Sequence, residues 1–474
     1  MRLTGQHVAI FGLGRSGLGV ARAVLELGGT PTVFDENSRD KLPKPETAAA
    51  AEKDGIHLQF NWTGDIDPAK YAYLVLNPAV DSRHQVIKRV VASGLPVLSE
   101  IEFAYRIAVA PIVAVTGTNG KSTTAVMTYL CLLAAGEEAV LCGNIFGSGY
   151  PERPLTDAAL SAHANRILVA EVSSFQLEWV DQFEPVSAGI TNITPDHMDR
   201  YDRFEDYAAA KRNIFRRQQP NDTAVVRAND PEVPEPTGPQ VLTFGAQGRH
   251  ARMEGDDLWV LGTRKHVAGL PFREPHNRVN AQMAALLAYG ALGNLALRDT
   301  ASNAHEVLRR AGADPHKEPG PCPPELLDGL ERFRGLSHRM EVVGEHGGVT
   351  VINNSMCTNP SAVVSSLQAV GMPSHVLMGG VNKNLDFAPV RDYLATAKHR
   401  VYLFGQDGQD VGAQIGGGFP YYERMEAAFA AATAQAHAGE AIILAPGCAG
   451  LDAYRDFRER GDVFRMIAKE WLSK

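Results

Sequence analysis

Val115-Thr-Gly117-Thr118-Asn119-Gly120-Lys121-Ser122-Thr123-Thr124 decides the reading of this chain. The stretch follows an apolar run, Ile112–Val115, and opens onto AVMTYLCLLA, a segment of helical composition. A strand that turns through glycines into a helix is the repeating unit of a parallel α/β sheet. Glycines leave backbone N–H groups open to a phosphate, a lysine supplies charge for β- and γ-phosphates, and a hydroxyl can ligate Mg²⁺. The spacing is G-x-x-G-K-S-T, a shortened variant of the P-loop G-x-x-x-x-G-K-[ST], with Val115 where the strict pattern has glycine. ATP binding is therefore expected at Gly117, Thr118, Asn119, Gly120, Lys121, Ser122 and Thr123.

A second glycine turn lies upstream. His7–Phe11 (HVAIF) reads as a strand, Gly12-Leu-Gly14-Arg15-Ser16-Gly17 as a turn, and the following residues as a helix through Leu27. Thr32–Phe34 is a further strand ending at Asp35, and Tyr73–Leu76 another. G-x-G-x-x-G with an acidic residue after the next strand suits a nucleotide diphosphate, an NAD being the plain reading. Glycines serving only helix–strand packing are the bland alternative. The motif alone leaves the nucleotide open.

Downstream, Glu171 opens EVSSFQLE at the end of the strand Arg166–Ala170, where a carboxylate can share the Mg²⁺ of a P-loop. Ser173, Ser174 and Gln176 suit either a substrate or a helix cap. After the strand Ala188–Thr191, the run Asn192–Tyr201 packs Asp196, His197, Asp199, Arg200 and Tyr201 together, which favours a functional His197. Lys211, in YAAAKRN, would by itself be a solvated lysine. Asp314–Glu325 carries five prolines and reads as a surface loop or linker. Beyond it, Gly348–Ile352, His375–Met378, Val401–Phe404 and Ala441–Leu444 are again strand-like.

Composition narrows the class. The 474 residues carry 46 Lys and Arg against 54 Asp and Glu, a net charge of −8, and show no basic excess for duplex nucleic acid. No uncharged apolar run approaches the ~18 residues of a membrane helix. The opening MRLTGQHVAIFGLG is expected to be a strand and turn, not a secretory leader. Five dispersed cysteines without CxxC are expected to be reduced thiols in a cytoplasmic enzyme.

Taken together, the motifs resemble the Mur ligases, the ATP-dependent amino-acid ligases of peptidoglycan synthesis. The resemblance runs through GLGRSG, GTNGKST, GNI at Gly143–Ile145, EVSSFQLE, DHMDRY, HNRVN at His276–Asn280, GLSHRMEVV at Gly335–Val343, GG-x-x-K at Gly379–Lys383 and CAGLDAYRDFRERG at Cys448–Gly461. It implies an α/β chain of three domains: a Rossmann-like UDP-sugar domain over 1–99, a central P-loop ATPase-type domain over 100–335 and a C-terminal Rossmann-like amino-acid domain over 336–474. In the branch most like this chain, D-glutamate is joined to UDP-N-acetylmuramoyl-L-alanine through an acyl phosphate. The first glycine turn would then hold UDP, not NAD.

The resemblance also implies roles. Lys121, Glu171, His197 and Lys211 would be catalytic. Ser122 and Glu171 would bind one Mg²⁺, with His197 and a carbamylated Lys211 serving a second. Asn277 and Asn280 would face adenine, while Arg339 and Asn354 would contact ATP. Gly14, Arg15, Ser16 and Asp35 would hold UDP, and Asn144, Ser173 and Gln176 the muramoyl-alanine. Thr358, Lys383, Gly450, Leu451 and Phe457 would receive the amino acid. The expected partners are these small molecules, with no nucleic acid and no membrane, and the chain is expected to be a monomer.

Three positions depart from the family pattern. N-D-S-K-A-T-N reads Asn353-Asn354-Ser355-Met356-Cys357-Thr358-Asn359 here, so an Asp is Asn354 and a Lys is Met356. In the S-P-A-C-A-S-L counterpart, Ala445–Leu451, a serine is Gly450. All three touch the amino-acid end more than the phosphate end. A ligase for L-glutamate or another amino acid, and a weakly catalytic UDP-sugar-binding regulator, are the alternatives.

Overall fold

The computed structural model describes residues 2–41, 45–78, 80–198, 200–268, 275–298, 318–382 and 385–474. Among the described residues the strands form three sheets. The chain divides into two compact units: Met1–Phe146 with Tyr150–Arg334, and Gly147–Gly149 with Gly335–Lys474.

The first sheet is parallel. Its order is His57–Gln59, Thr30–Phe34, His7–Phe11, Leu74–Leu76, Val97–Ser99. The apolar run VAIF has no polar alternation because both faces are covered. Val8 and Ile10 join one core cluster with Val33 and Val75, while Ala9 and Phe11 join another with Phe34 and Leu76. The helix Arg15–Glu26 follows the first strand, one residue shorter than expected.

The second sheet, in the same unit, has ten strands. Ile112–Thr116 lies at its centre between Ser187–Ile190 and Arg166–Glu171, with Glu138–Gly143 and Glu152–Arg153 beyond. On the other side come Thr223–Arg227 and Gln240–Phe244. The sheet ends in an antiparallel meander, Ala251–Glu254, Asp257–Val260 and Thr263–His266. Leu261 and Gly262 take φ of 46° and 79° in its second turn, the doubly positive pattern of a tight hairpin.

The third sheet belongs to the second unit. Glu341–His346 runs antiparallel to Val349–Asn353; parallel neighbours follow in the order Ala441–Gly447, Ser374–Gly379, His399–Phe404, Tyr421–Tyr422. Of the proline-rich segment, residues 314–317 lie outside the described residues and 318–323 form neither helix nor strand. Its last two residues instead begin the helix Pro324–Asp328, because a proline is well suited to a helix's first turn. The five cysteines are free and buried. No described helix is long and apolar enough to cross a membrane.

Candidate active site

Sheet register assembles the phosphate end. Val115 pairs with Glu171 on one side, and Thr116 with Ile190 on the other. The glycine loop, the Glu171 carboxylate and the Thr191–Asn192 exit therefore leave the sheet side by side. Gly117 takes φ 142° and Gly120 φ 85°, both conformations that L side chains resist. Space forbids a side chain as well: a Cβ on Gly117 would lie 1.9 Å from Thr191 Oγ1, and one on Gly120 2.5 Å from Asn280 Oδ1.

The loop is held from outside. Thr118 N–H donates to Asn192 O at 2.8 Å, and Asn119 N–H to Asn192 Oδ1 at 3.1 Å. Asn119 O accepts from Thr191 Oγ1 at 2.6 Å and Asn192 Nδ2 at 3.0 Å. Thr118 Oγ1 donates to Thr194 O and lies 3.0 Å from the Tyr207 hydroxyl. Thr191, Asn192 and Tyr207 were not singled out as site residues by sequence reasoning. The pattern YAAAK, which sets Tyr207 one helical turn before Lys211, was the available signal for Tyr207.

Lys121 and Ser122 open the helix Lys121–Ala134, with Thr123 buried behind them. Lys121 Nζ donates to Gly117 O and Thr118 O. Ser122 Oγ donates to Glu171 Oε2 at 2.6 Å, and Asn144 Nδ2 to Glu171 Oε1 at 3.2 Å. Glu171 is 3% exposed, so a carboxylate has been placed where water is scarce but hard oxygen donors converge. That donor set fits Mg²⁺.

Lys211 is not the solvated lysine its helix suggests. It is 2% exposed, donates to Gly117 O at 2.7 Å and lies 4.6 Å from the centre of the Tyr207 ring. Burial, with the nearby Lys121 charge, pulls its pKa down to about 7. His197 is exposed and takes a left-handed φ of 56°. Its ring packs edge-on against Phe175 at 4.9 Å and lies 6.3 Å from Tyr207, with Asp196 Oδ2 3.5 Å from Nε2. Among the described residues no three His, Cys, Asp or Glu side chains gather into a metal-holding group. Asp199 lies outside the described residues.

Asn280 is buried and donates from Nδ2 to Asn277 Oδ1 at 3.2 Å on the helix Pro275–Arg298, which sets this pair against Gly120. At the other glycine turn, Gly14 caps the helix that Arg15 and Ser16 begin. Gly17 permits the turn, since a Cβ there would lie 2.1 Å from Gly12 O. Arg15 is exposed, its guanidinium 5.0 Å from the Phe146 ring. Asp35 is partly committed to the protein: Oδ2 accepts Leu13 N–H and Oδ1 accepts Asn37 N–H, which ties the turn to the next strand's exit.

Ser173 and Gln176 form a reciprocal cap on the helix Ser174–Leu177. Gln176 N–H reaches Ser173 Oγ, and Gln176 Oε1 accepts Ser173 N–H at 2.9 Å. Their capping role, weighed from sequence as the plainer option, is the one the geometry displays. Asn144 is exposed, its N–H donating to Glu171 O at 2.8 Å.

In the second unit, Arg339 is half-buried and donates from Nη2 to Met356 Sδ at 3.2 Å. Asn354, expected to contact ATP, is 5% exposed and turns its amide into the protein, to Met340 N–H and Ser366 Oγ. Gly450 lies over the buried Arg460, where a Cβ would stand 3.3 Å from the guanidinium carbon. Arg460 donates to Ser355 Oγ, Ser355 O and Cys448 O, tying the Gly450 loop to the Met356 segment. Leu451 is exposed, Phe457 packs edge-on against His338, and Thr358 is half-buried. Lys383 lies outside the described residues. Burial pushes the Cys357 and Cys448 thiols up to about 12, so these neighbours of the loop are inert thiols.

Residues 115–287 match the Mur ligase middle domain, and residues 338–448 the glutamate ligase domain of Mur ligases. Over 478 residues the chain is 32% identical to the UDP-N-acetylmuramoylalanine–D-glutamate ligase of Salinibacter ruber, covering 98% of each. It is 33% identical over 492 residues to the enzyme of the same name from Pelotomaculum thermopropionicum, covering 98% of this chain and 97% of that one. The solved MurF ligase of Thermotoga maritima in complex with ADP shares the fold, with a TM-score of 0.54 at 15% identity, over 99% of this chain and 96% of that one. A phosphate loop held between Glu171 and Asn192, on a chain that aligns with these ligases almost end to end, belongs to the Mur ligase family.

Proposed function

We propose that this chain is an ATP-dependent ligase that adds D-glutamate to UDP-N-acetylmuramoyl-L-alanine in peptidoglycan precursor synthesis. One observation carries the reading: the 32–33% identity, over 98% of the chain, to ligases of that name. The arrangement of Lys121, Ser122 and Glu171 supports it.

Carboxylate and amine do not condense unaided in water. A carboxylate oxygen of the substrate's alanine attacks the γ-phosphorus, and the bond to the β-phosphate oxygen breaks, releasing ADP. The glutamate nitrogen then attacks the acyl carbon, its proton leaves, and inorganic phosphate departs. Negative charge shifts first across the phosphoryl oxygens and then onto the tetrahedral oxygen, so fixed positive groups accelerate both steps. Lys121, now turned onto Gly117 O and Thr118 O, would swing to the phosphates, while the loop N–H groups receive them. Ser122 and Glu171 would hold Mg²⁺, which when bound neutralises charge on the transferring phosphoryl.

Lys211 would be carbamylated. Buried and with its pKa near 7, it presents a substantial neutral fraction at neutral pH, whose nitrogen can attack CO₂ and lose a proton. The product is an anion able to join His197 in serving a second Mg²⁺. The turn at Gly14, Arg15, Ser16 and Asp35 would take the UDP, and Asn144 with the Ser173 cap the muramoyl-alanine. Asn277 and Asn280 would serve the adenine and Arg339 the phosphates. Thr358, Lys383, Gly450, Leu451 and Phe457 would serve glutamate. Divisions near Ser99 and Gly335, a monomer and a cytoplasmic location complete the proposal.

Gly450 favours one second reading, a ligase with a different amino acid. Phosphate release with UDP-N-acetylmuramoyl-L-alanine and a panel of D- and L-amino acids decides. Turnover with D-glutamate supports the first reading and turnover with another amino acid alone the second. No turnover with any of them overturns the ligase in favour of a UDP-sugar-binding regulator.

A further inference from the structure

His338 and Met340 both take left-handed backbone conformations, φ 61° and 45°, and Arg339 stands between them. L side chains adopt that conformation only where neighbours enforce it. Hydrogen bonds from three neighbouring segments hold this turn. Asn353 Nδ2 donates to Gly461 O and Glu341 Oε2, and lies 3.2 Å from His338 Nδ1. His338 N–H donates to Glu341 Oε2 at 2.8 Å, and His338 O accepts Met356 N–H at 3.0 Å. Asn354 Oδ1 accepts Met340 N–H at 3.1 Å.

The other end of the Asn354 amide is equally committed. Nδ2 donates to Ser366 Oγ at 2.6 Å, and Ser366 spends its own hydrogen on Ala362 O at 2.5 Å. The amide orientation is therefore determined: Met340 N–H requires an acceptor and Ser366 requires a donor. An asparagine satisfies both, which a carboxylate does not unless Ser366 turns its hydrogen away from Ala362. Arg339 meanwhile rests Nη2 on the neutral sulfur of Met356, where a lysine would set like charges together.

We propose that Asn354 is a positioning residue for Arg339, acting through the Met340 N–H, and that Met356 is the neutral seat of the guanidinium; Asn354 is not itself a nucleotide ligand. The two departures from the family pattern are then one device, which fixes the direction of a cation. This rests on the reading that Arg339 serves the phosphates of ATP.

The test is a double-mutant cycle on the full-length enzyme with both substrates. Asn354→Ala is expected to raise the KM for ATP about ten-fold while the KM for UDP-N-acetylmuramoyl-L-alanine stays within about two-fold. Asn354→Asp, which keeps an acceptor for Met340, is expected to recover most of that loss. Asn354→Ala combined with Arg339→Ala is expected to be no worse than Arg339→Ala alone. Multiplying effects, or an Asn354→Ala penalty that disappears with 2′-deoxy-ATP, would overturn the proposal in favour of a direct ribose contact. An unchanged KM for ATP in Arg339→Ala would instead overturn the assignment of Arg339, and the inference with it. Amide exchange at Met340 in Asn354→Ser reads the same contact should Asn354→Ala not fold: acceleration relative to wild type is expected, and unchanged protection contradicts the link.

Discussion

Lys121 and Lys211 donate to one acceptor, the carbonyl oxygen of Gly117, at 3.1 and 2.7 Å. Two ammonium groups on one oxygen repel each other, and only Lys211 is also cut off from water. The strain therefore falls on Lys211.

Its pH dependence follows. The folded chain releases the Lys211 proton near pH 7, the unfolded chain near 10.5. Between those values the unfolded state binds more protons, so this group makes stability rise with pH across that window. Its destabilisation is complete below pH 7 and on the order of 5 kcal/mol. In CO₂-free, nucleotide-free buffer, Lys211→Met is expected to raise the midpoint of urea unfolding more at pH 6 than at pH 9. An equal gain at both would show that Lys211 is not charged and buried together. The same variant, and Lys211→Ala, should lose activity, and added bicarbonate should not restore it.

Ser122→Ala removes the hydroxyl that lies 2.6 Å from Glu171 Oε2. The Mg²⁺ concentration giving half-maximal activity is expected to rise about 10–100-fold, the range found when groups supporting a metal site are removed. A Mg²⁺ titration of phosphate release measures it. An unchanged midpoint would remove Ser122 from the metal site.

Gly450→Ser would place its Cβ 3.3 Å from the buried Arg460 guanidinium. The neighbour cannot retreat, because Arg460 is fixed by three hydrogen bonds to Ser355 and Cys448. The variant should change the KM for the amino acid at least about three-fold and leave that for ATP alone. The reverse pattern would mean that this loop serves the nucleotide.

Gly117→Ala combines a φ of 142° with a Cβ 1.9 Å from Thr191 Oγ1. Nucleotide affinity, followed by calorimetry, is expected to fall by at least about ten-fold, with the UDP-sugar affinity unchanged. Adding Thr191→Ser does not remove the clashing oxygen and should give no recovery, whereas Thr191→Ala should give a partial one.

Much of this was legible in the chain. HVAIF and IVAV read as strands because their faces are both covered, and the glycine turns read as turns because few other residues can make them. The short strands His57–Gln59 and Val97–Ser99 did not, since three residues carry no periodicity. Glu171 and Ser122 could be paired from the P-loop logic, and the Ser173–Gln176 cap, spanning three positions, was one of two readings the sequence left open, but the commitment of Asn354 could not be read. Its amide has two ends, and the neighbours that claim them, Met340 and Ser366, lie 14 and 12 positions away. Lys211 was legible only through resemblance, because its burial comes from the glycine loop 94 positions earlier.

The cross-bonding of Asn119 with Thr191 and Asn192 has a thermodynamic consequence for nucleotide capture. A flexible glycine loop must surrender conformational freedom when a phosphate arrives, and that loss is subtracted from affinity. Here the strand exit has already taken it up during folding. ATP thus meets a cradle whose backbone is set in advance, and the rearrangement it asks of the loop is the swing of the Lys121 side chain. Association should accordingly be limited by encounter and by ionic strength, not by a slow ordering of the loop.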